Sequence, residues 1–323
     1  MRYADFPLLS RSLGERRERT GVLLPRSAGG SLRCGFTLIE LLAVIAVVAL
    51  LLGLLAPALN GARSAAQSAA CGSNLRQLAM ALDLYAGANG GHYAPGAADF
   101  AANRSRWHGA RAAGVGSFSP TGGALTPFLD DAATPGGGAS AEMVTTRACP
   151  TFAPVARNLA SAGRGFERSA GGYGYNNAFA GQVRSAAGTG AGRMWALVTD
   201  RSGALQARFE APGRTLGFAD AALCADSGAN AEGLIEYSFI EGRFRADVAP
   251  GEGARMDPSL HFRHGQRMGS GKAGTCNAAY LDGHVAGMAR TFTWSSGVYG
   301  VPGAAAALGW SGSGDDNSMF AYR

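Results

Sequence analysis

The longest apolar run in the chain begins at Phe36 and ends at Leu59. Between Leu41 and Ala56 it contains no charged or strongly polar residue. As a helix, these roughly 24 residues would be about 36 Å long, which is enough to cross a bilayer. The run therefore predicts a transmembrane helix.

The helical pattern continues beyond Pro57, a residue that removes one backbone hydrogen bond and should kink or loosen the helix locally. Glycine and asparagine between Gly87 and Gly91 predict its end. We expect one helix of about 50 residues. The spacing of three, four and three that marks one buried face is found at Leu75, Leu78, Leu82 and Tyr85.

The remainder of the chain is rich in turn residues, and the whole sequence holds 49 glycines. Short apolar runs between the turns predict strands at 195–199, 214–219, 234–240, 277–281 and 284–288. Asp282-Gly283 between the last two predicts a hairpin with a type I′ turn. Long loops are expected at 91–147 and 154–171.

These elements predict an α+β fold in which the long N-terminal helix packs on a C-terminal antiparallel β-sheet domain. We predict that the chain divides into four segments: a basic leader at 1–35, a transmembrane half of the helix at 36–59, an amphipathic half at 60–88, and a globular β-rich domain at 89–323.

Charge is unevenly distributed. The net charge is +6, and the first 35 residues contribute +4 of it through seven arginines against three acidic residues. This asymmetry predicts a cytoplasmic N-terminus and a C-terminal domain on the other side of the membrane. Because the rest of the chain is nearly neutral and shows no basic stripe, we predict no nucleic-acid partner.

One carboxylate, Glu40, lies at the start of the apolar run, five residues after Gly35. A glutamate there is costly without a cationic partner. The only convincing small-residue cleavage junction lies before the apolar run, at Gly35, so a cut there would keep the helix and create an α-amino group on Phe36. That amine, from the same or a neighbouring copy, is the predicted partner of Glu40. The alternative is an uncut signal anchor.

The sequence Gly35-Phe36-Thr37-Leu38-Ile39-Glu40 and the apolar residues after it resemble the N-terminus of type IV pilins and type II secretion pseudopilins. The resemblance implies cleavage between Gly35 and Phe36 and methylation of the Phe36 amine. It assigns an assembly role to Glu40, and we include Thr37 and Pro57 in the same assembly segment.

The same resemblance implies several partners: a prepilin peptidase and N-methyltransferase, other pilin or pseudopilin subunits, an inner-membrane assembly platform and the bilayer. It places the chain in the inner membrane as a single-pass protein, with its C-terminal domain in the periplasm and the assembled filament there as well.

Later landmarks resemble a subgroup of these proteins that ends in a processing-associated domain, defined by a histidine, nine residues and Asp-Gly. They include Cys71-Gly72-Ser73-Asn74-Leu75-Arg76-Gln77-Leu78, Cys149-Pro150, Tyr173-Gly174-Tyr175-Asn176 and Leu281-Asp282-Gly283-His284-Val285. This chain departs from that spacing, since 17 residues separate His264 from Asp282. The stretch 269–274 is interpreted as an inserted loop, which argues against a direct contact between the two side chains.

Cleavage after Gly35 removes Cys34 and leaves four cysteines for an oxidising compartment: Cys71, Cys149, Cys224 and Cys276. Four cysteines allow three pairings, and the sequence does not choose among them. The chain has no Cys-x-x-Cys pair, which argues against a zinc ribbon.

The remaining candidate chemistry is sparse. His261, His264, Asp282 and His284, with Asp220, are the residues that a hydrolytic or metal site would use. We expect ordinary structural roles instead, with Asp282-Gly283 in a turn and His284 on the following strand. No cofactor or catalytic residue is predicted, and a Ca²⁺ ion held by carboxylates is the weaker alternative.

The function predicted is therefore structural: a subunit of a type II secretion pseudopilus or a type IV pilus-like filament, doing mechanical work in secretion or surface display. One alternative is a membrane-anchored protein that binds a polysaccharide or another surface polymer. A second is a tethered hydrolase that uses His264 and Asp282.

Overall fold

The computed structural model describes residues 35–129, 148–161, 169–188, 194–224, 233–248, 254–265, 274–297, 300, 302–314 and 316–322. The chain divides into two compact units, residues 1–54 and 55–323. Because the predicted loop 269–274 lies almost wholly outside the described residues, its structure is not described.

The first helix, α1 (Leu38–Ala88), is 51 residues long and contains Pro57. Its length agrees with the 50 residues expected. It ends where predicted, because Gly90 and Gly91 take positive φ angles of 63° and 81°. The Gly91 N–H then donates to the Ala86 carbonyl at 2.8 Å, which satisfies one of the last carbonyls of the helix.

The second unit contains the core, and the last turns of α1 supply one side of it. Leu75, Leu78 and Leu82 are buried there as predicted, while Tyr85 is partly buried. Each buried leucine contributes about 1.5–3 kcal/mol relative to an exposed one. The other buried positions on this face are small or short: Cys71, Ala79, Ala81 and Ala86.

The principal sheet has four strands in the order β11-β10-β6-β3, all antiparallel. Its bounds are β3 (Tyr173–Tyr175), β6 (Leu216–Asp220), β10 (Thr275–Tyr280) and β11 (Val285–Ala289). The side chain of Asn277 on β10 donates to the Ser68 carbonyl at 3.0 Å, and Asn74 donates to the Tyr173 hydroxyl at 3.1 Å. These bonds fix the sheet against α1.

Smaller pairs surround this sheet. They are β1 (Ser105–Arg106) with β2 (Gly109–Ala110), β4 (Val183–Ala187) with β5 (Met194–Thr199), β7 (Leu223–Cys224) with β8 (Leu234–Ile235), and β9 (Leu260–His261) with β12 (Leu308–Gly309). A second helix, α2, spans Ala153–Ser161, and 3-10 turns lie at Thr126–Phe128, Gln206–Arg208 and Pro212–Arg214.

Several predicted bounds were wrong. The expected loop 154–171 contains most of α2, since proline is tolerated in the first turn of a helix and Pro154 lies there. The predicted strand 234–240 is regular only at Leu234–Ile235. Beyond it, Phe239 forms a single parallel bridge to Tyr175.

The β10–β11 hairpin was predicted correctly, but its turn type was not. A type I′ turn needs positive φ at two residues, and in this turn only Gly283 has one, at 87°. The Gly283 N–H donates to the Tyr280 carbonyl, and the Tyr280 N–H to the His284 carbonyl, each at 2.9 Å. The loop is therefore a three-residue connection with glycine at the left-handed position.

We predict that Gly283→Ala lowers the free energy of unfolding by about 1 kcal/mol, because an alanine is strained at positive φ. No atom lies within 4 Å of the added Cβ, so backbone strain is the whole effect. Gly87→Ala is the matched control: its Cβ also meets open space, but the site is helical, so stability should not fall. Urea denaturation of the detergent-solubilised chain measures the free energy of unfolding of both variants. Equal effects of the two substitutions would contradict the positive φ assigned to Gly283.

Candidate functional site

The first candidate site is the segment 35–40, where α1 begins. Thr37 precedes the helix, and its hydroxyl accepts a hydrogen bond from the Glu40 N–H at 3.2 Å. The Glu40 Oε2 atom in turn accepts from the Thr37 N–H at 2.9 Å and from the Thr37 hydroxyl at 2.8 Å. This reciprocal arrangement is a capping box, and it satisfies backbone donors that the first turn leaves without helical partners.

Glu40 therefore has a partner within its own chain. This partner is Thr37 rather than the predicted cation, and the capping role of Thr37 was not predicted, although Thr-x-x-Glu before an apolar run is a sequence signal for a capping box. In this uncut chain the Phe36 nitrogen belongs to a peptide bond. The predicted amine is therefore not present to compete with Thr37 for the Glu40 carboxylate. The capping box describes the precursor, and the amine partner remains a prediction for the mature chain.

The surface that follows Glu40 is exposed and apolar. Leu38, Ile39 and Leu54 are 85%, 80% and 71% exposed. Within the described part of the chain, α1 is the helix long and apolar enough to cross a membrane. An apolar surface of this extent needs lipid or another apolar helix to cover it.

The second candidate region contains the predicted C-terminal motif, and the structure does not join its two ends. His264 forms a backbone bridge with Thr275 at the start of β10, whereas Asp282 follows the other end of that strand. Five strand steps correspond to roughly 17 Å. The hydrolase alternative thus lacks the His264–Asp282 pair on which it depended.

Asp282 interacts with His284 instead. Asp282 Oδ1 lies 2.6 Å from His284 Nδ1, and the His284 ring stacks on Tyr280 with centroids 4.2 Å apart. Burial raises the pKa of Asp282, but the hydrogen bonds and charge of His284 together outweigh burial and leave that pKa below its usual value. Both side chains are substantially exposed, which agrees with the turn role expected for Asp282.

His264 belongs to a buried polar cluster centred on Asp220. Asp220 Oδ2 lies 2.9 Å from His264 Nε2 and accepts from the Asn277 N–H at 2.7 Å. Its other oxygen, Oδ1, accepts from the Arg263 guanidinium at 2.8 Å. That guanidinium also donates to the Gly172 carbonyl and lies over the Phe152 ring. Asp220 and His264 were predicted as candidate site residues, whereas Arg263 was not.

Burial of Asp220 raises its pKa, yet the Arg263 charge and the hydrogen bond and charge of His264 outweigh burial, so the pKa lies below its usual value. Burial and the Arg263 charge lower the pKa of His261 well below its usual range. For the Cys276 thiol, burial and the Asp220 charge raise the pKa well above its ordinary value. The cluster therefore keeps a carboxylate charged inside the core.

Two of the four predicted disulfide cysteines are joined. Cys71 on α1 and Cys149 before α2 form a disulfide. The two cysteines are 78 residues apart in the sequence. Cys224 and Cys276 are buried and take no part in this bridge. Cys149 Sγ also lies 3.9 Å from His264 Nε2, so the bridge borders the Asp220 cluster.

The Ca²⁺ alternative finds no support in this geometry. Calcium takes six to eight oxygen ligands. Asp220 is the one carboxylate in its cluster of potential ligands, and Asp282 lies beyond the far end of β10, so the two carboxylates do not meet. In the described segments, the one group of three or more potential metal ligands is Cys71, Cys149, Asp220 and His264.

Residues 31–56 match the family model of the prokaryotic N-terminal methylation motif. The helix α1 begins within this motif, so the N-terminal segment of the chain is type IV pilin- or pseudopilin-like, and its length and composition suit a membrane anchor. The motif also implies processing by a prepilin peptidase. No curated protein and no solved structure matches the chain. The resemblance to the processing-associated subgroup stays a prediction.

We predict that Asp220→Asn lowers the free energy of unfolding at pH 7 by about 3 kcal/mol, because it leaves Arg263 buried without its counter-charge. Asp247→Asn is the control, since its ion pair with Arg245 is about half exposed and should contribute less than about 1 kcal/mol.

The Asp220 effect should depend on pH. The folded pKa lies below the unfolded value of about 3.9. The charge therefore stabilises the fold fully above the unfolded pKa, and this contribution disappears as pH falls through the folded pKa. Urea denaturation between pH 7 and pH 2 measures the free energy of unfolding of wild type and Asp220→Asn. The difference between these two free energies should decrease only below about pH 4. A difference that is independent of pH would contradict the assigned charge.

Proposed function

We propose that the mature chain begins at an N-methylated Phe36 and is a structural subunit of a type II secretion pseudopilus or a type IV pilus-like filament. The carrying observation is the methylation motif at 31–56, which contains most of the exposed apolar half of α1. In this proposal the chain does mechanical work and catalyses no reaction.

The exposed half of α1 supports assembly as well as anchoring. In the bilayer, lipid covers its apolar side chains. In a filament, the same side chains would pack against copies of the helix or against related subunits, so that the segment leaves the membrane without exposure to water.

Glu40 is suited to guide that assembly. In the precursor its carboxylate is held by Thr37. Cleavage after Gly35 would produce a cationic amine at Phe36, and a charge pair in an apolar environment is much stronger than one in water. The incoming subunit would place its amine beside the Glu40 of a neighbour, which fixes the axial position of each new subunit.

The partners in this proposal are the prepilin peptidase and N-methyltransferase, other pilin or pseudopilin subunits, and an assembly platform in the inner membrane, with energy from a cytoplasmic ATPase of that machine. The C-terminal domain would lie in the periplasm. The disulfide between Cys71 and Cys149 supports this location, because disulfides persist in oxidising compartments.

We predict that the protein recovered from its native membrane starts at methylated Phe36, and that Glu40→Ala is processed but assembles poorly. Intact mass and N-terminal sequencing test the first part; cross-linking of membrane and filament fractions tests the second. An uncut chain that retains residues before Phe36 would overturn the proposal in favour of a signal anchor.

Thr37 was predicted to belong to the assembly segment, but the hydrogen bonds that the structure gives its side chain are those of the capping box, so Thr37→Val is the matched control for Glu40→Ala. Both variants break the capping box and cost about 1 kcal/mol of helix stability. If Glu40 aligns neighbouring subunits, Glu40→Ala should lose assembly while Thr37→Val largely keeps it. Equal loss in the two variants would instead assign Glu40 to helix capping alone.

A second candidate function, binding of a surface polymer, is favoured by one cleft of about 330 Å³. Phe100, Tyr237 and Phe239 provide its aromatic surface, and the Tyr237 and Phe239 rings lie 5.6 Å apart. Arg184 and Glu241 add polar groups. Aromatic faces beside hydrogen-bonding side chains suit a sugar ring.

If this cleft binds glycan, Phe100→Ala should reduce retention on immobilised polysaccharide at least tenfold, because Phe100 is half exposed in the cleft wall. Leu84→Ala, an exposed apolar change on α1, is the control and should leave retention unchanged. Retention that is absent in the wild type, or unaffected by Phe100→Ala, would reject polymer binding at this cleft.

A further inference from the structure

Four potential metal ligands meet in the core beneath α1. The sulfurs of Cys71 and Cys149, the imidazole of His264 and the carboxylate of Asp220 place one ligand atom each within 4.8 Å of all the others. All four residues are buried. They come from α1, the segment before α2, the end of β6 and the segment before β10, so the tertiary fold alone creates the group.

We propose that the chain with a reduced 71–149 bridge binds one Zn²⁺ ion through these four side chains. Reduction by a dithiol breaks the S–S bond, adds two electrons and two protons to the sulfurs and leaves the dithiol as a disulfide. Zinc binding then releases the two thiol protons to solvent, because the thiolate is the ligand, and the neutral His264 imidazole keeps its proton on Nδ1 so that Nε2 can bind the ion. Disulfide and zinc site are therefore alternative states of the same two cysteines.

The observed distances suit a tetrahedral ion after small movements. Zinc bonds of about 2.0 Å to nitrogen or oxygen and about 2.3 Å to sulfur separate neighbouring ligands by roughly 3.3–3.8 Å. His264 Nε2 lies 3.9 Å from Cys149 Sγ and 2.9 Å from Asp220 Oδ2. Breaking the S–S bond lets the sulfurs separate, and the same Nε2 atom already faces both a sulfur and the carboxylate.

Neighbouring groups hold the ligands in orientation. The Arg263 guanidinium and the Asn277 N–H donate to Asp220. The Thr151 hydroxyl lies 3.4 Å from His264 Nδ1, the ring nitrogen that would not bind the ion. Such outer contacts fix the imidazole orientation and the carboxylate position in protein metal sites.

The charges also balance in both states. In the disulfide state, the buried carboxylate of Asp220 faces the buried guanidinium of Arg263. In the zinc state, two thiolates and the carboxylate carry three negative charges, and Zn²⁺ with Arg263 carries three positive ones. A neutral cluster avoids the large cost of an uncompensated charge in the core.

The ion and the disulfide would stabilise the same contact between distant segments of the chain. Each links α1 to the segment before α2, and the ion also joins β6 and the segment before β10. A chain that has not yet been oxidised would thus keep its helix attached to the sheet through zinc. This inference does not depend on the filament role, because it concerns the core of the globular unit.

The test uses the full detergent-solubilised chain, freed of metal and reduced, in competition with a chromophoric zinc chelator. We expect one Zn²⁺ per reduced chain and none per oxidised chain. Co²⁺ in place of zinc should give the charge-transfer absorption of thiolate ligation. His264→Ala should weaken zinc binding at least tenfold, whereas His284→Ala, on the exposed hairpin, should not change it.

A second measurement needs no variant. Zinc should slow alkylation of Cys71 and Cys149 in the reduced wild type, with peptide mapping to identify the modified cysteines, and it should leave the alkylation rates of Cys224 and Cys276 unchanged. A folded reduced chain that binds no zinc, or zinc protection confined to Cys224 and Cys276, would overturn the proposal. Binding unchanged in His264→Ala would overturn the assigned ligand set.

Discussion

The packing of the last turns of α1 against β3 and β10 is the constraint on which the rest of the globular unit depends. The apolar face of the helix contributes leucines to the core, and hydrogen bonds at Asn74 and Asn277 set its position along the sheet. Apolar burial supplies most of the stability, while the polar contacts allow only one placement of the helix on the strands.

The Asp220 cluster connects the sheet to α1 through buried polar contacts and the disulfide. Its carboxylate accepts hydrogen bonds from Arg263 and Asn277 and contacts His264, and Cys149 links the cluster to α1 through the disulfide. A buried charge is tolerated only when its neighbours satisfy it. The segments that carry these residues are therefore held in one arrangement, which is also the arrangement that the proposed zinc site uses.

The N-terminal half of α1 follows a different physical logic. Its side chains are apolar and exposed, and the first turn is closed by the capping box of Thr37 and Glu40. In the proposed function, cleavage changes this end of the helix, since it creates an amine that can pair with a carboxylate which until then is bound by the backbone and hydroxyl of Thr37. One glutamate would thereby act first in helix formation and afterwards in subunit alignment.

The sequence alone determined the elements whose signals are local. The apolar run after Phe36, the spacing of Leu75, Leu78 and Leu82, and the Asp282-Gly283 hairpin all depend on neighbours close in the chain, and the structure confirms each of them. The turn type was missed because Tyr280 lies opposite His284, which makes the loop three residues long rather than two and leaves Gly283 as its one residue with positive φ.

Only the tertiary structure decided the contacts between distant residues. It pairs Cys71 with Cys149, one of the three pairings that the sequence left open. It places His264 beside Asp220 rather than Asp282, and it buries Arg263 against the same carboxylate. Each of these depends on how strands far apart in sequence meet beneath α1. No periodicity or motif encodes that arrangement, because it results from the packing of the whole domain.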